Sequence, residues 1–217
     1  MALFISKLTI NERNLAGLRC VCDTYQAHQT IWRAFPDRAD GGPGRILFRI
    51  EPVRACRSVV ALVQSEKRPD WTQLLSNGIL TEALCKDYGP EFRAGDVLQF
   101  RLKANPTRKI ADSSDCGADG LPKSKRVGLC NEDQQMDWLH RKGQSGGYRI
   151  VECRVSARDD LRTGKSGTAG GIRHLAVLFD GTLEVTDPDL FRSTLSSGLG
   201  SAKGFGFGLL SVALLRR

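Results

Sequence analysis

The order of helical and extended segments most constrains the fold, because it runs strand, helix, strand, strand. The alternating residues 3–10 predict a strand. Asp23 is a suitable N-cap, with Gln26 completing a capping-box pattern, so a helix is predicted to begin there. The predicted segments are strands at 3–10, 45–51 and 58–64, a helix at 24–35 and a short helix near 71–84. This order is typical of a βαββαβ ferredoxin-like unit.

The same order of segments appears a second time. Its predicted strands are 97–104, 148–155, 173–185 (bending back at Asp180–Gly181) and 205–215, and its predicted helices are 132–142 and 187–197. No sequence repeat accompanies the order, so the duplication rests on the order alone. We therefore expect an α+β protein of two tandem ferredoxin-like domains, residues 1–95 and 96–217. Two long basic connections, 105–126 and 157–171, interrupt the second unit and are expected to be functional or disordered.

Charge and cysteine content bound the class of protein. The formal net charge is +8, of which +2 belongs to residues 1–100 and +6 to residues 101–217. The basic second half indicates either a polyanion partner or a surface that only confers solubility. Seven cysteines without a C-x-x-C pair argue against zinc or disulfide frameworks and favour reduced thiols in a cytoplasmic protein. No apolar run is long enough to span a membrane, so we expect no membrane partner.

Tyr25 and His28 are the residues most suited to chemistry. They lie three residues apart at the start of the predicted helix, where a phosphate would be stabilised by the helix dipole. Together with Trp32 and Phe35 they also form a stripe typical of a core-facing helix, in which case His28 is simply a packed histidine. The two interpretations stay open at this point.

RNA chemistry gives the pair a possible role. RNA carries its own nucleophile, the 2′-hydroxyl, and cleavage needs one proton removed and another supplied. A histidine can make one of these transfers near neutral pH, whereas tyrosine is a better donor or orienting group than base. The sequence shows no clustering of carboxylates, histidines and cysteines for a metal, so no cofactor is predicted.

Two further segments could contact a polyanion. Residues 198–208 hold five glycines and Lys203, and form either a phosphate cradle or a tight turn whose glycines only permit close packing. A helix precedes this segment and a strand follows it, the reverse of a dinucleotide-binding motif. Arg101 and Lys103 share one face of a predicted strand and either follow a nucleic-acid backbone or form an ordinary solvated face.

These segments together resemble the CasE family, the endoribonucleases of type I-E CRISPR Cascade complexes that process precursor RNA. The resemblance runs nearly end to end, through FISKLTI, DTYQAHQTIWRAFPDR, ILFRIEP, ALVQSEKRPDW, VLQFRLKANPTRK, KRVGL, the Trp138–Lys142 helix, VLFDGTLEVTDP and GLGSAKGFGFGLLSVA. Tyr25 and His28 match the family's catalytic pair. Gly204 stands where the family more often has alanine or serine.

The resemblance implies metal-independent cleavage of CRISPR repeat hairpins, with 5′-hydroxyl and 2′,3′-cyclic phosphate ends. It also implies an enzyme that stays bound to the mature crRNA beside other Cascade subunits. The main alternative is a non-catalytic subunit that only holds an RNA hairpin. From the residues and the resemblance together, the predicted RNA contacts are Arg101, Lys103, Lys109, Lys123, Lys125, Arg126, Arg162, Lys165, Ser166 and Lys203.

Overall fold

The structure is a computed structural model of the chain that describes residues 3–36, 41–53, 58–116, 122–163 and 172–215. For residues 111–116, 122–123, 161–163 and 172–173 it describes the backbone. Arg162 and Lys123 therefore have a described backbone position, whereas Lys165 and Ser166 lie outside the described residues. No helix in the described ranges has the length and apolar character that a membrane crossing requires.

The N-terminal half forms one four-stranded antiparallel sheet covered by helices. Its elements are β1 (Leu3–Ile10), α1 (Leu15–Cys22), α2 (Thr24–Trp32), β2 (Ile46–Val53), β3 (Ser58–Ser65), α3 (Thr72–Ser76) and β4 (Leu80–Tyr88). The strand order is β2-β3-β1-β4. One face of the sheet packs on the helices around a core that includes Leu8, Ile31, Phe48, Val63 and Trp71.

The C-terminal half repeats this architecture and adds a hairpin. Its elements are β5 (Val97–Ala104), β6 (Thr107–Cys116), β7 (Pro122–Gly128), α4 (Glu132–Ser145), β8 (Tyr148–Thr163), β9 (Ile172–Val185), α5 (Pro188–Ser197) and β10 (Leu210–Leu214). The strand order β10-β5-β9-β8 matches that of the first sheet, and β6 and β7 pair separately. The expectation of two tandem ferredoxin-like units is thus confirmed.

Several predicted elements were wrong. An additional helix, α1, precedes α2 because the Asn14 side chain accepts hydrogen bonds from the N–H groups of Ala16 and Gly17 and so caps it. The segment predicted as a helix to residue 84 is helical only in α3 and becomes β4 at Leu80, because β1 offers a free edge for antiparallel pairing.

Errors in the second half concern the two long connections. Residues 105–126 were expected to be a loop, but much of this range pairs as the β6–β7 hairpin. Strand β8 continues to Thr163 along β9, into the range also predicted as a loop. Strand β9 does not bend back at Asp180–Gly181. A Cβ at Gly181 would lie 2.0 Å from the Glu152 carbonyl oxygen, so this glycine permits the close approach of β8 where that strand bulges.

A buried arginine joins the two halves. Arg49 of β2 is only 3% exposed, and its guanidinium donates to the carbonyl oxygens of Arg101 (3.2 Å) and Leu209 (3.2 Å) and to Ser211 Oγ (2.9 Å). Gln64, on the same face of the first sheet, donates to the Leu195 carbonyl at the end of α5. Polar side chains of the first sheet therefore satisfy backbone carbonyls of the second half.

Candidate active site

Helix α2 begins where the sequence predicted. The Asp23 carboxylate accepts a hydrogen bond from the Tyr25 N–H at 2.8 Å, which makes it the N-cap. The Gln26 part of the predicted capping box is not needed, because the Asp23 N–H donates to the Arg19 carbonyl at the end of α1. The carboxylate and the abutting helix occupy the start of α2, so the structure weakens the argument that a phosphate binds there through the dipole.

The predicted stripe on α2 divides into two parts. Phe35 is buried and meets Trp71 edge-on, which is the behaviour of a core residue. Tyr25 and His28 are half-buried. The Tyr25 hydroxyl accepts a hydrogen bond from Gln29 Nε2 at 3.2 Å. The core interpretation thus holds for the end of the stripe, whereas Tyr25 and His28 are only partly buried.

His28 lies against the glycine-rich segment of the other half. Its ring stacks on Trp32 with 4.1 Å between ring centroids, and a Cβ placed on Gly204 would lie 3.5 Å from Cε1 and Nδ1. Burial lowers the pKa of His28, and the backbone of Gly204 partly opposes this. Within the described residues, Nδ1 is buried without a partner in hydrogen-bond geometry. The ring is therefore held in place by stacking and favoured in its neutral form.

The glycine-rich segment is a close-packed turn. Residues Lys203–Phe205 form one turn of 3₁₀ helix, and Gly208, with a φ of +84°, has no room for a Cβ beside the Leu199 carbonyl. A Cβ on Gly198 would lie 2.7 Å from Leu47, and one on Gly206 would lie 3.2 Å from Phe48. These contacts favour the close-packing interpretation for most of the glycines and explain how the turn reaches α2.

A second histidine contacts the same turn from β9. The His174 ring centroid lies 5.3 Å from that of Phe205, and His174 Nδ1 lies 3.1 Å from Asn105 Nδ2. Asn105, only 6% exposed, also contacts the Ser201 hydroxyl. Burial lowers the pKa of His174. Sequence reasoning gave this histidine and Asn105 no role, since only the fold brings strands β5 and β9 to the turn.

The β6–β7 hairpin carries basic side chains on both faces. Lys109 lies directly opposite Arg126, whereas Arg108 and Lys125 project from the opposite face in register with Val127 and Ile110. All four basic side chains are exposed. Like charges placed opposite each other across two strands destabilise a hairpin, so the pair of Lys109 and Arg126 favours a bound anion.

Arg101 and Lys103 project from one face of β5 as predicted, but neither is an isolated cation. Arg101 bridges Asp180 Oδ1 at 2.6 Å and Glu51 Oε2 at 2.9 Å, so its charge is already neutralised. Lys103 lines a cleft of about 270 Å³ that it shares with Glu51 and Asp159. Burial lowers the pKa of Lys103, and its ammonium lies 5.7 Å from the centre of the Phe207 ring.

Lys203 is half-buried beside the candidate site. Its ammonium donates to the Ser197 carbonyl at the end of α5, at 2.7 Å. In the part of the chain that the structure describes, no three histidine, cysteine or acidic side chains come together as metal ligands.

Comparison with known proteins places the chain in a family. Residues 3–213 match the family model described as CRISPR associated protein. The chain is 34% identical to the CRISPR-associated endoribonuclease Cse3 of Thermus thermophilus, covering 97% of this chain and 100% of that protein. It is 33% identical to the CRISPR system Cascade subunit CasE of Escherichia coli, covering 89% and 93%.

Solved structures agree with the sequence comparison. Cse3 bound to a 19-nucleotide RNA superposes with a TM-score of 0.84 at 33% identity, covering 98% of this chain and all of that chain. Cas6e from Escherichia coli superposes with a TM-score of 0.69 at 28% identity, covering 98% and 100%. The chain therefore belongs to the CasE family of CRISPR-associated proteins.

Proposed function

We propose that this protein is an endoribonuclease that cleaves the repeat hairpin of CRISPR precursor RNA without a metal cofactor. Tyr25 and His28 form its catalytic pair. The observation that carries the proposal is the position of His28, whose ring is half-buried on α2 against the Gly204 turn of the other half. Resemblance to a relative named as an endoribonuclease and to structures of that relative with RNA supports it.

The chemistry follows from the 2′-hydroxyl of the substrate. His28 accepts the 2′-hydroxyl proton, O2′ forms a bond to the adjacent phosphorus, and the bond from phosphorus to O5′ breaks. A proton is returned to O5′, so the products carry a 2′,3′-cyclic phosphate and a 5′-hydroxyl. The lowered pKa suits His28 to the role of base, because the neutral ring that accepts the proton persists to lower pH.

Tyr25 lies three residues before His28, a little less than one helical turn, so the two side chains share a face of α2. Its hydroxyl already accepts a hydrogen bond from Gln29, which leaves its own hydrogen available for donation. We assign it to orient the scissile phosphate or to protonate O5′. Lys165 and Ser166 remain predicted contacts to the phosphate.

The β6–β7 hairpin is the main RNA-binding element in this proposal. Its basic side chains, Lys109 of β6 and Lys125 and Arg126 of β7, neutralise phosphates. Lys123 adds a further basic residue to β7. The base edges of an A-form stem lie in a deep and narrow groove, so the stem is recognised mostly by its shape. Arg101 is a weaker candidate, since Glu51 and Asp180 already pair with it.

After cleavage the protein remains on its product as a subunit of a larger complex. A relative named as a Cascade subunit supports this role, as does a solved CRISPR RNA-guided surveillance complex that contains a chain 26% identical with a TM-score of 0.69. The partners proposed for this chain are therefore the crRNA and neighbouring Cascade subunits.

Cleavage of a repeat-derived hairpin in EDTA tests the proposal, with wild type beside His28→Ala. Wild type should cut, and the variant should lose about 10²–10⁴-fold in single-turnover rate, the range for removal of a general acid or base. End-group analysis should find a cyclic phosphate and a 5′-hydroxyl. A normal cleavage rate for His28→Ala would show that His28 has no part in the mechanism. Cleavage by wild type only when a divalent metal is added would show that the enzyme depends on a metal.

Two further measurements sharpen this test. If His28 is the base, the wild-type value of kcat/KM should rise with pH and level off above a pKa lower than the ordinary histidine value of about 6.5. If it is the acid, the same quantity should fall as the pH rises through that pKa. A protein that binds the hairpin tightly but never cuts it is instead the non-catalytic RNA-binding subunit.

A further inference from the structure

Three basic residues lie on elements that pack around the glycine-rich turn. Arg45 precedes β2, Lys142 lies in the last turn of α4, and Lys203 begins the 3₁₀ turn. Within the described residues none of the three forms an ion pair. Because three separate elements contribute these cations, they form a local excess of positive charge.

Packing of the turn brings these elements together. A Cβ on Gly200 would lie 3.0 Å from the Trp138 ring, and Lys142 is four residues beyond Trp138, on the same face of α4. On the other side, a Cβ on Gly198 would lie 2.7 Å from Leu47 of β2, and Arg45 is two residues before Leu47, on the same face of the extended chain.

The cations are close enough to affect one another. Burial, with the neighbouring charges of Arg45 and Lys142, lowers the pKa of Lys203. The Glu66 carboxylate lies beside Arg45, where its Oε2 accepts from the Arg45 backbone N–H at 3.0 Å. The Arg45 guanidinium forms no ion pair among the described residues. An arrangement that holds like charges together in the free protein favours an anion among them.

Lys203 directly precedes Gly204, the residue beside the His28 ring. We infer that Arg45, Lys142 and Lys203 form a subsite for a phosphodiester of the single-stranded RNA that flanks the scissile phosphate. The inference rests on the proposed function, because it takes His28 as the position of the scissile phosphate. The hairpin β6–β7 binds the stem, and this subsite binds the strand that leaves it.

The lysines could instead serve only to stabilise helix ends. Lys203 donates to the Ser197 carbonyl at the end of α5, and Lys142 is the basic residue in the last turn of α4. That role accounts for two of the cations but not for Arg45, which precedes a strand. The two explanations differ in what they predict for RNA that lacks a flank.

Binding of two RNAs tests the subsite, in a His28→Ala background that prevents turnover. One RNA is the repeat hairpin alone, and the other carries single-stranded flanks on both sides. The test variant adds Arg45→Gln and Lys142→Gln, which keep Lys203 and its hydrogen bond. Arg192→Gln is the matched control, because Arg192 lies on the exposed face of α5 in an ion pair with Asp189.

The double substitution should weaken binding of the flanked RNA by roughly tenfold and reduce its salt slope by about 1.4, or about 0.7 for each single-strand phosphate that is no longer neutralised. Binding of the bare hairpin, and of both RNAs to the Arg192→Gln control, should stay unchanged. Unchanged affinity for the flanked RNA, or an equal loss for both RNAs, overturns the subsite. Failure of the wild type to cleave refutes the proposed function separately, since this test uses binding alone.

Discussion

The two halves of the molecule build the same sheet and use it differently. Strand orders β2-β3-β1-β4 and β10-β5-β9-β8 are equivalent. Among the residues that the structure describes, only the first half inserts the helix pair α1 and α2, and only the second inserts the hairpin β6–β7. The first half contributes His28, and the second contributes the turn against which His28 packs.

This difference shows that neither unit is sufficient for the candidate site. The first sheet covers its second face with the other half through Arg49 and Gln64. On the second sheet, Arg101 reaches Glu51 of the first half, whereas Gln99 and Arg154 line an open cleft. The strand order alone therefore does not determine which face of a sheet is covered. The buried polar contacts between the halves determine this for the first sheet. Substitutions at three places in the molecule examine this relation, beginning with the contact that joins the halves.

Replacing Arg49 with methionine should give the largest effect. The change leaves two backbone carbonyls and Ser211 without their buried donor, and it removes one partner of Glu51. We expect a loss of about 2–4 kcal/mol in the free energy of unfolding, as for other broken buried networks. Urea unfolding followed by tryptophan fluorescence measures it.

A matched control is Arg149→Gln, which breaks an exposed pair with Glu184 inside the second half. Such a pair contributes about 0–1 kcal/mol, so the control should unfold close to wild type. If the halves depend on each other through Arg49, the variant should also separate into two transitions. A single transition at the wild-type midpoint would show that Arg49 does not join them.

Neutralising the hairpin pair should give the next largest effect. Lys109→Gln with Arg126→Gln removes two opposed cations that no sheet contact requires. RNA-hairpin affinity should fall by about 1–2 kcal/mol, a factor of roughly five to thirty, and the salt slope should fall by about 2. Folding stability should hold or rise slightly, because the repulsion across the strands is gone. A lower cleavage rate at saturating enzyme would instead mean that the β6–β7 hairpin contributes to the cleavage step at His28 as well as to binding.

The sequence predicted the repeated unit, the cap at Asp23 and the position of His28, because each depends on local pattern or resemblance. It missed β4, whose pairing partner β1 is distant in the chain, and it missed α1 and the β6–β7 hairpin. In the sequence, Arg49 is a single charged residue in an apolar strand. Its burial becomes evident only from the packing of the two halves. The ion pairs of Arg101 with Glu51 and Asp180 could not be predicted either, because these carboxylates belong to other strands.

Substitution of Gly204 by alanine should give the smallest effect, although it lies at the junction of the halves. An added Cβ would sit 3.5 Å from the His28 ring, an ordinary van der Waals contact. Restricting the unfolded chain should raise stability by about 0.4–1 kcal/mol, with the cleavage rate near wild type. Gly89→Ala, where a Cβ meets nothing within 4 Å, is the control for the entropic gain alone.

A larger side chain at position 204 separates the effect of contact with the His28 ring from the effect of restricting the unfolded chain. The branches of Gly204→Val extend beyond the Cβ toward the imidazole, so the ring or the turn must shift. We expect slower single-turnover cleavage for valine but not for alanine, with hairpin binding unchanged for both. Equal rates for all three residues would mean that the second half only covers His28, whereas a graded loss would mean that its turn sets the position of the catalytic ring.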